Sequence, residues 1–259
     1  MRRPEIFISA LHFEWETVEE AFDRCLNDFD AHGIEFSYPH PRFGPQQLEQ
    51  ARELSEDTGV QTNGHFWGNL AAAETDEAAA MLRQWLEIAR RAGFRQIIAH
   101  GGARRQHEAG IKIVTRGIQQ AIDEFEEHGV ILALENHYPF TYERRWELFS
   151  TPEEFTHLRD AVENPALGFC LDYGHSQMNN STPDLLGAMG QRLVNTHIAD
   201  NMGVHDDHLP FGEGVIPWET MLRGTEDIGF RGPFTFEFPL DESPECTGAC
   251  RRMVQDIFG

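Results

Sequence analysis

Six residues of metal-binding or proton-transferring types recur at similar intervals along the chain, each at or near the end of a short apolar run. They are His65, His100, Glu135, Asp172, His197 and Glu237. The intervals between neighbours run from 25 to 40 residues, about the length of one strand, one helix and two loops. Because the C-terminal ends of the strands in a parallel barrel meet at one mouth, this pattern predicts a single site assembled from six strands around a metal ion.

The three carboxylates carry most of this prediction. Glu135, Asp172 and Glu237 lie in the strand-like runs LALEN, FCLDY and TFEFP, and a buried carboxylate costs several kcal/mol unless it is paired or bound to a cation. Few basic residues lie near them in sequence, and one metal ion would neutralise all three. His197 adds a nitrogen ligand, and the four together suit Mn²⁺, Mg²⁺, Co²⁺ or Zn²⁺ with positions left open for a substrate. His175, three residues after Asp172, can reach either the metal or a substrate oxygen.

Eight apolar runs alternate with amphipathic helical patterns from end to end, and such alternation gives parallel βαβ units. We therefore expect an α/β fold, a closed (β/α)8 TIM barrel that forms a single domain over residues 1–259, with an open doubly wound sheet as the alternative. The last helix, in DESPECTGACRRMVQDIFG, is expected to be short and weak. The predicted strands are 5–9, 34–37, 60–66, 96–100, 130–136, 167–172, 193–198 and 233–238.

Several predicted helices carry recognisable end signals. Some begin with Thr or Ser followed by acidic residues, which is a capping pattern. Others end at a glycine that can adopt the left-handed conformation of a C-cap. The glycines expected in that role are Gly33, Gly59, Gly93 and Gly129.

The charge balance narrows the classes of partner. With 43 acidic against 21 basic residues the net charge is −22, which repels phosphate backbones and argues against a nucleic-acid partner. No apolar stretch approaches the length of a membrane-spanning helix. The N-terminus meets glutamate before any apolar run, so we expect no signal peptide and a cytoplasmic location. The four cysteines are expected to be reduced thiols.

Several motifs, in order, resemble the xylose isomerase-like superfamily of TIM barrels. They are LENH, CLDYGH, NTHIADN followed by DDHLPFGEGVIPW, and FEFP, and the similarity extends from about residue 30 to 240. Sugar isomerases and epimerases belong to this superfamily, together with endonuclease IV.

The sugar branch of the resemblance implies a metal-dependent sugar or sugar-phosphate isomerase or epimerase. The residues that match its metal ligands are Glu135, Asp172, His197 and Glu237. The two glutamates would also be catalytic: one removes a proton next to a carbonyl, the metal stabilises the enediolate, and the other glutamate returns the proton.

The resemblance also implies a small-molecule sugar as the substrate. Residues that match His65, Trp67 and His175 would line the pocket and hold sugar hydroxyls. Glu35, in GIEFS near the second strand end, is another expected pocket residue, whereas Trp67 could equally pack over the barrel mouth. The remaining histidines, His12 among them, have no partner pattern and are expected to be solvated or capping. Of these, His137 is the one whose position suggests a place in the site, because it lies two residues after Glu135 on the same side of the strand.

Endonuclease IV is the main alternative, because all nine of its metal-ligand types occur here in order. Its three zinc ions cleave a phosphodiester through metal-activated hydroxide, and His100, Asp206 and His208 would then be additional metal ligands. The scattered basic residues argue against a protein that must grip phosphates. Two further functions stay open. One is a small hydroxy-acid or polyol dehydratase of the same superfamily, and the other is a barrel that binds a small ligand without turnover. Barrels of this kind often associate, which leaves a homo-oligomer open as well. The nine positions that match the metal ligands of endonuclease IV are His65, His100, Glu135, Asp172, His175, His197, Asp206, His208 and Glu237.

Overall fold

Eight parallel strands form a closed barrel in the computed structural model, which describes residues 4–72, 74–139, 141–142 and 144–259. Neighbours in the barrel are neighbours in the chain, and the first strand pairs with both the second and the last. The predicted (β/α)8 TIM barrel is therefore confirmed. The strands are β1 (Ile6–Ser9), β2 (Gly33–Tyr38), β3 (Gln61–Phe66), β4 (Gln96–His100), β5 (Ile131–Glu135), β6 (Leu167–Asp172), β7 (Leu193–Ile198) and β8 (Phe234–Phe236).

The helices surround this barrel and cover the outer faces of its strands. Two short 3₁₀ turns, Leu70–Ala72 and Gly190–Arg192, also lie among the connections. The described α-helices are α1 (Val18–Asn27), α2 (Pro45–Thr58), α3 (Thr75–Ala92), α4 (His107–His128), α5 (Pro152–Ala161), α6 (Tyr173–Gln177), α7 (Thr182–Met189), α8 (Trp218–Asp227) and α9 (Pro244–Phe258).

The expectation of a short last helix is wrong, because α9 has 15 residues. Its buried Cys250, Val254 and Ile257 recur at helical spacing, and Phe258 packs against the ring of Phe234 with centroids 4.8 Å apart. The apolar residues of the segment are few, so contacts with the barrel stabilise it more than its own propensity does.

Three of the four expected glycine C-caps are confirmed. Gly59, Gly93 and Gly129 follow α2, α3 and α4 with φ of 78°, 73° and 66°. Gly33 was assigned wrongly, since it is the first residue of β2. A Cβ at Gly33 would overlap the ring of Phe7, so close packing between β1 and β2 accounts for this glycine.

The two faces of each strand have different surroundings. In β2, Ile34 and Phe36 belong to the large apolar core under the helices, and Glu35 between them points to the barrel axis. The same alternation in β7 places Ile198 outside and His197 inside. The polar residues of the sequence pattern thus converge at inward positions near the C-terminal ends of the strands.

Below those polar residues the barrel interior is apolar in part. Ile98, Ala133 and Cys170 form a small separate cluster there, with Val194 packed against it. The four cysteines of the chain are free thiols, as expected. No helix in the described part of the chain combines the length and the apolarity needed to cross a membrane.

Two details near the mouth differ from the expected elements. β8 ends at Phe236, so Glu237 is the first residue after the strand, although its N–H still donates to the carbonyl of Ile198 at 2.9 Å. Three short strands, Ala103–Arg104, Thr141–Tyr142 and Arg145–Glu147, form an antiparallel sheet of their own.

Phe36 tests how strongly the helix-facing core stabilises the barrel. Its ring is fully buried and stacks on Phe43 with centroids 4.4 Å apart. We expect Phe36→Ala to lower the free energy of unfolding in urea by about 3–5 kcal/mol because it leaves a cavity. Leu26→Ala, at a side chain 42% exposed, should change it by less than about 0.5 kcal/mol. Equal losses in the two variants would contradict this view of the core.

Candidate active site

Four strand ends bring the predicted metal ligands together. Glu135 ends β5, Asp172 ends β6, His197 lies near the end of β7 and Glu237 follows β8. One donor atom from each lies within 4.8 Å of the others, and all four residues are buried. We call this set the principal donor group.

His197 is the centre of the principal donor group. Its Nδ1 atom lies 3.1 Å from Glu135 Oε1 and 3.2 Å from Glu237 Oε2. Among the residues that the structure describes, Glu135 Oε2 and Asp172 Oδ2 are buried without a hydrogen-bond partner. Buried carboxylate oxygens without donors, grouped with an imidazole nitrogen, fit a divalent cation of the kind that the donor types predict.

Asp172 is oriented by its neighbours rather than by its own strand alone. The side-chain Oδ1 of Asn136 accepts the N–H of Asp172 at 2.7 Å, and the amide of Asn136 donates to the Asp172 carbonyl at 3.1 Å. Oδ1 of Asp172 accepts the N–H of His175 at 2.6 Å, which caps α6. Its other oxygen is left for the principal donor group. Asn136 was not predicted as a site residue, although it directly follows Glu135 in the chain.

Two histidines lie on the other side of Glu135. Nε2 of His65 is 3.3 Å from Glu135 Oε2, and Nε2 of His100 is 3.5 Å from the same oxygen. These three residues form a second donor group, again with donor atoms within 4.8 Å of one another. The carboxylate of Glu135 therefore lies between the two groups, with one oxygen towards each.

His175, Asp206 and His208 form a third cluster at the mouth. Asp206 Oδ2 lies 3.2 Å from His175 Nε2 and 3.4 Å from His208 Nε2. Nδ1 of His208 donates to the carbonyl of Glu237 at 2.7 Å, and Nδ1 of His175 donates to that of Asn136 at 2.8 Å. Since a carbonyl only accepts, both Nδ1 atoms carry protons and both Nε2 atoms face the carboxylate.

The loop that carries Asp206 and His208 wraps around a buried carboxylate. Asp200 accepts hydrogen bonds from the N–H of Gly212 at 3.0 Å and from the indole of Trp218 at 2.7 Å. Gly214 approaches so closely that a Cβ there would overlap Asp200. Asp200 was missed from sequence, because its partners lie 12 to 18 residues further along and meet it only in the folded loop.

Above the donor groups lies a cavity of about 350 Å³. Trp67 forms part of its rim with 61% of its surface exposed. His197 and Asp172 do not line the cavity and lie beneath its floor. The lining residues are Leu11, His12, His65, Trp67, His100, Glu135, His137, His175, Asp206, His208 and Glu237.

The expectation that His12 and His137 are solvated or capping is wrong for both. The ring of His12 stacks on His208 with centroids 5.0 Å apart, and His137 stacks on His175 at 4.8 Å. Burial lowers the pKa of each to about 4, so both are neutral at neutral pH. They were missed because these stacking partners come from other strand ends.

Glu35 lies deeper than expected. It is the third residue of β2, with Ser37 at the next inward position towards the mouth, and it is fully buried. It does not line the described part of the cavity. Its carboxylate instead contacts His197 and His65 from the side away from the mouth.

The carboxylates of the site are held ionised by the surrounding imidazoles. Burial favours the neutral acids, yet His100, His197 and His65 hold the pKa of Glu135 below its usual range, and His197 with His65 does the same for Glu237. For Asp172 burial prevails and raises the pKa to about 6. Two carboxylates are thus ready to accept protons at neutral pH.

The histidines divide into charged and neutral groups. Burial opposes protonation of His65, but Glu135, Glu237 and Glu35 raise its pKa to about 10. Cys170 and the same three glutamates raise the pKa of His197 against the effect of burial. Burial lowers the pKa of His100 to about 3, which leaves it neutral. The charge of the carboxylates is therefore balanced by protons that a cation would have to displace.

Comparison with known proteins agrees with this fold. The family model described as xylose isomerase-like TIM barrel matches residues 16–252. This chain belongs to that family. Sequence matches to an uncharacterized protein of Sinorhizobium fredii (36% identity) and one of Methanocaldococcus jannaschii (28% identity) cover 29% and 46% of this chain. They span 24% and 41% of those relatives, so less than half of each.

Several solved structures superpose on nearly the whole chain. A D-tagatose 3-epimerase-like protein gives a TM-score of 0.83 at 17% identity, covering 98% of both chains. D-Psicose 3-epimerase from Clostridium cellulolyticum, solved with D-tagatose, gives 0.75 at 16% identity, covering 98% of this chain and 96% of that one. The 3-keto-D-glucoside 4-epimerase of E. coli gives 0.76 at 15% identity, covering 96% and 99%. These similarities establish the shared fold.

Binding of Mn²⁺ should release protons and strengthen as the pH rises. His197 has its pKa raised and that of His65 is about 10, so both carry a proton at pH 6–8 before the ion binds. Each displaced proton should lower the dissociation constant about tenfold per pH unit. Calorimetric titration at pH 6 and 8, in two buffers of different ionisation enthalpy, measures both effects. Affinity independent of pH and heat independent of buffer would contradict this charge balance.

Proposed function

We propose that this chain is a metal-dependent sugar isomerase or epimerase that moves a proton between Glu135 and Glu237. The observation that carries the proposal is the position of these two carboxylates. Both line the cavity, and both lie within 3.2 Å of the same atom, Nδ1 of His197. Two ionised carboxylates on one donor group, facing one cavity, suit proton transfer on a bound small molecule.

Glu135, Asp172, His197 and Glu237 would hold a divalent cation, with Mn²⁺, Mg²⁺, Co²⁺ and Zn²⁺ as the candidates. When bound, such a cation supplies positive charge beside the carbonyl and hydroxyl oxygens of a sugar, which makes the adjacent C–H more acidic. Asn136 and the N-terminus of α6 keep Asp172 aimed at this position. The coordinating residues lie at or beneath the cavity floor, so a substrate can approach them from the mouth only.

Proton transfer then requires one carboxylate on each side of the reacting carbon. One glutamate takes the proton next to the carbonyl, and the C–H electron pair moves into an enediolate. The low pKa of Glu135 and Glu237 leaves both carboxylates ionised at the start. The second glutamate therefore takes a proton from water and gives it to the opposite face of that carbon or to the neighbouring carbon, while the first glutamate releases the abstracted proton to water.

The lining of the cavity favours a neutral sugar over a sugar phosphate. Its described residues comprise six histidines, three carboxylates, Leu11 and Trp67, without a lysine or an arginine. A phosphate group would face Asp206, Glu135 and Glu237, and the described lining offers no guanidinium or ammonium to bind it. A ketose instead finds imidazole donors for its hydroxyls and the face of Trp67 for its ring carbons.

The names of the superposed structures support the same substrate class. They are a D-tagatose 3-epimerase-like protein, a D-psicose 3-epimerase and a 3-keto-D-glucoside 4-epimerase. All three names refer to ketoses or keto sugars, which agrees with a cavity that would hold a carbonyl beside an acidic carbon. A small hydroxy-acid or polyol dehydratase would use the same first proton abstraction and is the alternative within this mechanism.

A second candidate function, zinc-dependent phosphodiester cleavage, is favoured by one observation. All nine endonuclease IV-like ligand types lie around one cavity, in the principal donor group, the second donor group and the Asp206 cluster. The net charge of −22 opposes it, because a nuclease must attract a polyanion. Three tightly bound zinc ions per chain together with cleavage of abasic DNA would replace the sugar proposal. One metal equivalent and inert DNA would support it.

Removing either proton-transfer carboxylate should abolish exchange of the substrate proton with solvent. We expect Glu135→Gln and Glu237→Gln to lower the rate of deuterium incorporation into a reactive ketose at least about 10³-fold, because an amide cannot accept the proton. The measurement is NMR of ketoses incubated with Mn²⁺ in D₂O. Glu154→Gln, at a buried carboxylate outside the cavity lining, is the control and should keep wild-type exchange. Exchange retained in both active-site variants would end the two-glutamate scheme.

Trp67 should contribute to binding rather than to proton transfer. Its ring lies at the cavity rim, with its centroid 6.3 Å from that of His65. We expect Trp67→Ala to raise KM about tenfold and to leave kcat within about twofold, as for a contact made equally in the ground and transition states. Trp146→Ala, which removes another half-exposed tryptophan outside the lining, is the matched control. A loss confined to kcat would contradict this role.

A further inference from the structure

Glu35 is a buried carboxylate that the proposed mechanism does not use. It occupies an inward position in the middle of β2 and none of its surface is exposed. The described contacts of its carboxylate are histidine and asparagine side chains. Burial of such a group is costly unless it accepts good hydrogen bonds.

The main contact of Glu35 is with the ring edge of His197 that faces away from the principal donor group. His197 Nε2 lies 3.1 Å from Glu35 Oε1 and 3.3 Å from Oε2. The opposite ring nitrogen, Nδ1, is the one near Glu135 and Glu237. His197 thus lies between a lower carboxylate and an upper pair.

Asn195 identifies Glu35 as a hydrogen-bond acceptor. Oδ1 of Asn195 accepts from the backbone N–H of Thr196 at 2.8 Å and from the hydroxyl of Thr235 at 3.0 Å. A backbone N–H can only donate, so the oxygen of the amide must be on that side and the NH₂ group must face Glu35. That NH₂ lies 3.3 Å from Glu35 Oε2. The carboxylate is therefore held as an acceptor, ready to take a second proton donor.

We propose that Glu35 is a positioning residue that accepts the N–H of His197 Nε2 and so leaves the Nδ1 lone pair facing the metal-binding side. This inference rests on the proposed metal site. A neutral imidazole carries one proton, and a hydrogen bond at one nitrogen decides which lone pair is free for a metal. Glu35 also fixes the rotation of the ring, because β2 and β7 hold the two residues on facing sides of the barrel interior.

His65 lies beside the same carboxylate at a longer distance. Its Nδ1 lies 3.4 Å from Glu35 Oε1 without a hydrogen bond between the two atoms, and its Nε2 faces Glu135 Oε2 at 3.3 Å. The positioning role of Glu35 is therefore assigned to His197, whose Nε2 makes the hydrogen bond.

The competing role for Glu35 is that of a direct metal ligand. Glu35, His65, His197 and Glu237 also have donor atoms within 4.8 Å of one another. A cation between Glu35 and His197 would, however, lie below residues that already lie beneath the cavity floor, where no substrate reaches it. It would also require the Nε2 lone pair of His197. The proton position on His197 therefore separates the two roles.

Long-range ¹H–¹⁵N NMR of the wild-type protein loaded with Zn²⁺ measures that proton directly. With ¹⁵N-labelled histidine and His197→Gln to assign the resonance, we expect His197 to be the tautomer protonated at Nε2 and bound through Nδ1. A proton on Nδ1 would overturn the proposal in favour of direct ligation. The experiment uses no variant of Glu35, so it remains decisive even if such a variant does not fold.

Glu35→Gln tests the energetic consequence. The amide has nearly the same size but no charge, and we expect the dissociation constant for Mn²⁺ to rise about 10- to 100-fold, the usual effect of losing a partner of a metal-binding histidine. The matched control is Glu154→Gln, which also removes a buried carboxylate, one that caps α5 instead. Thermal unfolding without metal checks that both variants fold. Unchanged Mn²⁺ affinity in a folded Glu35→Gln variant would overturn the role.

Failure of this role and failure of the proposed function give different results. Wild-type protein that binds Mn²⁺ with the expected His197 tautomer, yet exchanges no ketose proton, would remove the function and keep the role of Glu35. Wild-type exchange together with unchanged affinity in Glu35→Gln would remove only the role. Wild-type protein that binds neither Mn²⁺ nor Zn²⁺ would overturn both.

Discussion

The structure depends on the compensation of several negative charges buried at one end of a barrel. Glu35, Glu135, Asp172 and Glu237 are each at most 3% exposed. Their mutual repulsion and lost hydration would unfold this end of the barrel unless protons on imidazoles or a cation balanced them. The abundance of histidine around the cavity and the donor groups follows from this requirement. The same balance keeps the carboxylates of Glu135 and Glu237 ionised beside a substrate cavity, so stability and chemistry have one source.

A layer of residues outside the donor groups orients the side chains within them. Asn136 binds both the N–H and the carbonyl of Asp172, Asn195 turns its NH₂ towards Glu35, and Asp200 organises the loop that carries Asp206 and His208. Asn195 lies within β7, and Asn136 and Asp200 follow strand ends closely, where the backbone is already held by the barrel. A precise site can therefore be built on short side chains with few free torsions.

Much of the architecture was readable from the chain because strands and helices have different periods. The eight strand positions, and the convergence of Glu135, Asp172, His197 and Glu237, follow from apolar runs that alternate with amphipathic helical patterns and from the geometry of parallel barrels. The errors arose where local patterns are weak. Helix α9 depends on contacts with the barrel, and the glycine at position 33 is required by close packing against the ring of Phe7. His12 and His137 were misjudged because stacking partners from other strands cannot be read from spacing.

The sequence alone determined which residue types reach the mouth of the barrel, since a strand end and an inward position are local properties. Tertiary structure decided how deep each residue lies and which atoms face each other. Glu35 shows the difference: the motif GIEFS marks it as an inward residue of β2, but only the register of β2 with its neighbours places it beneath His197 rather than in the cavity. The physical reason is that burial and hydrogen-bond partners depend on packing between strands that are distant in the chain. The spacing of residues along the chain gives no information on that packing.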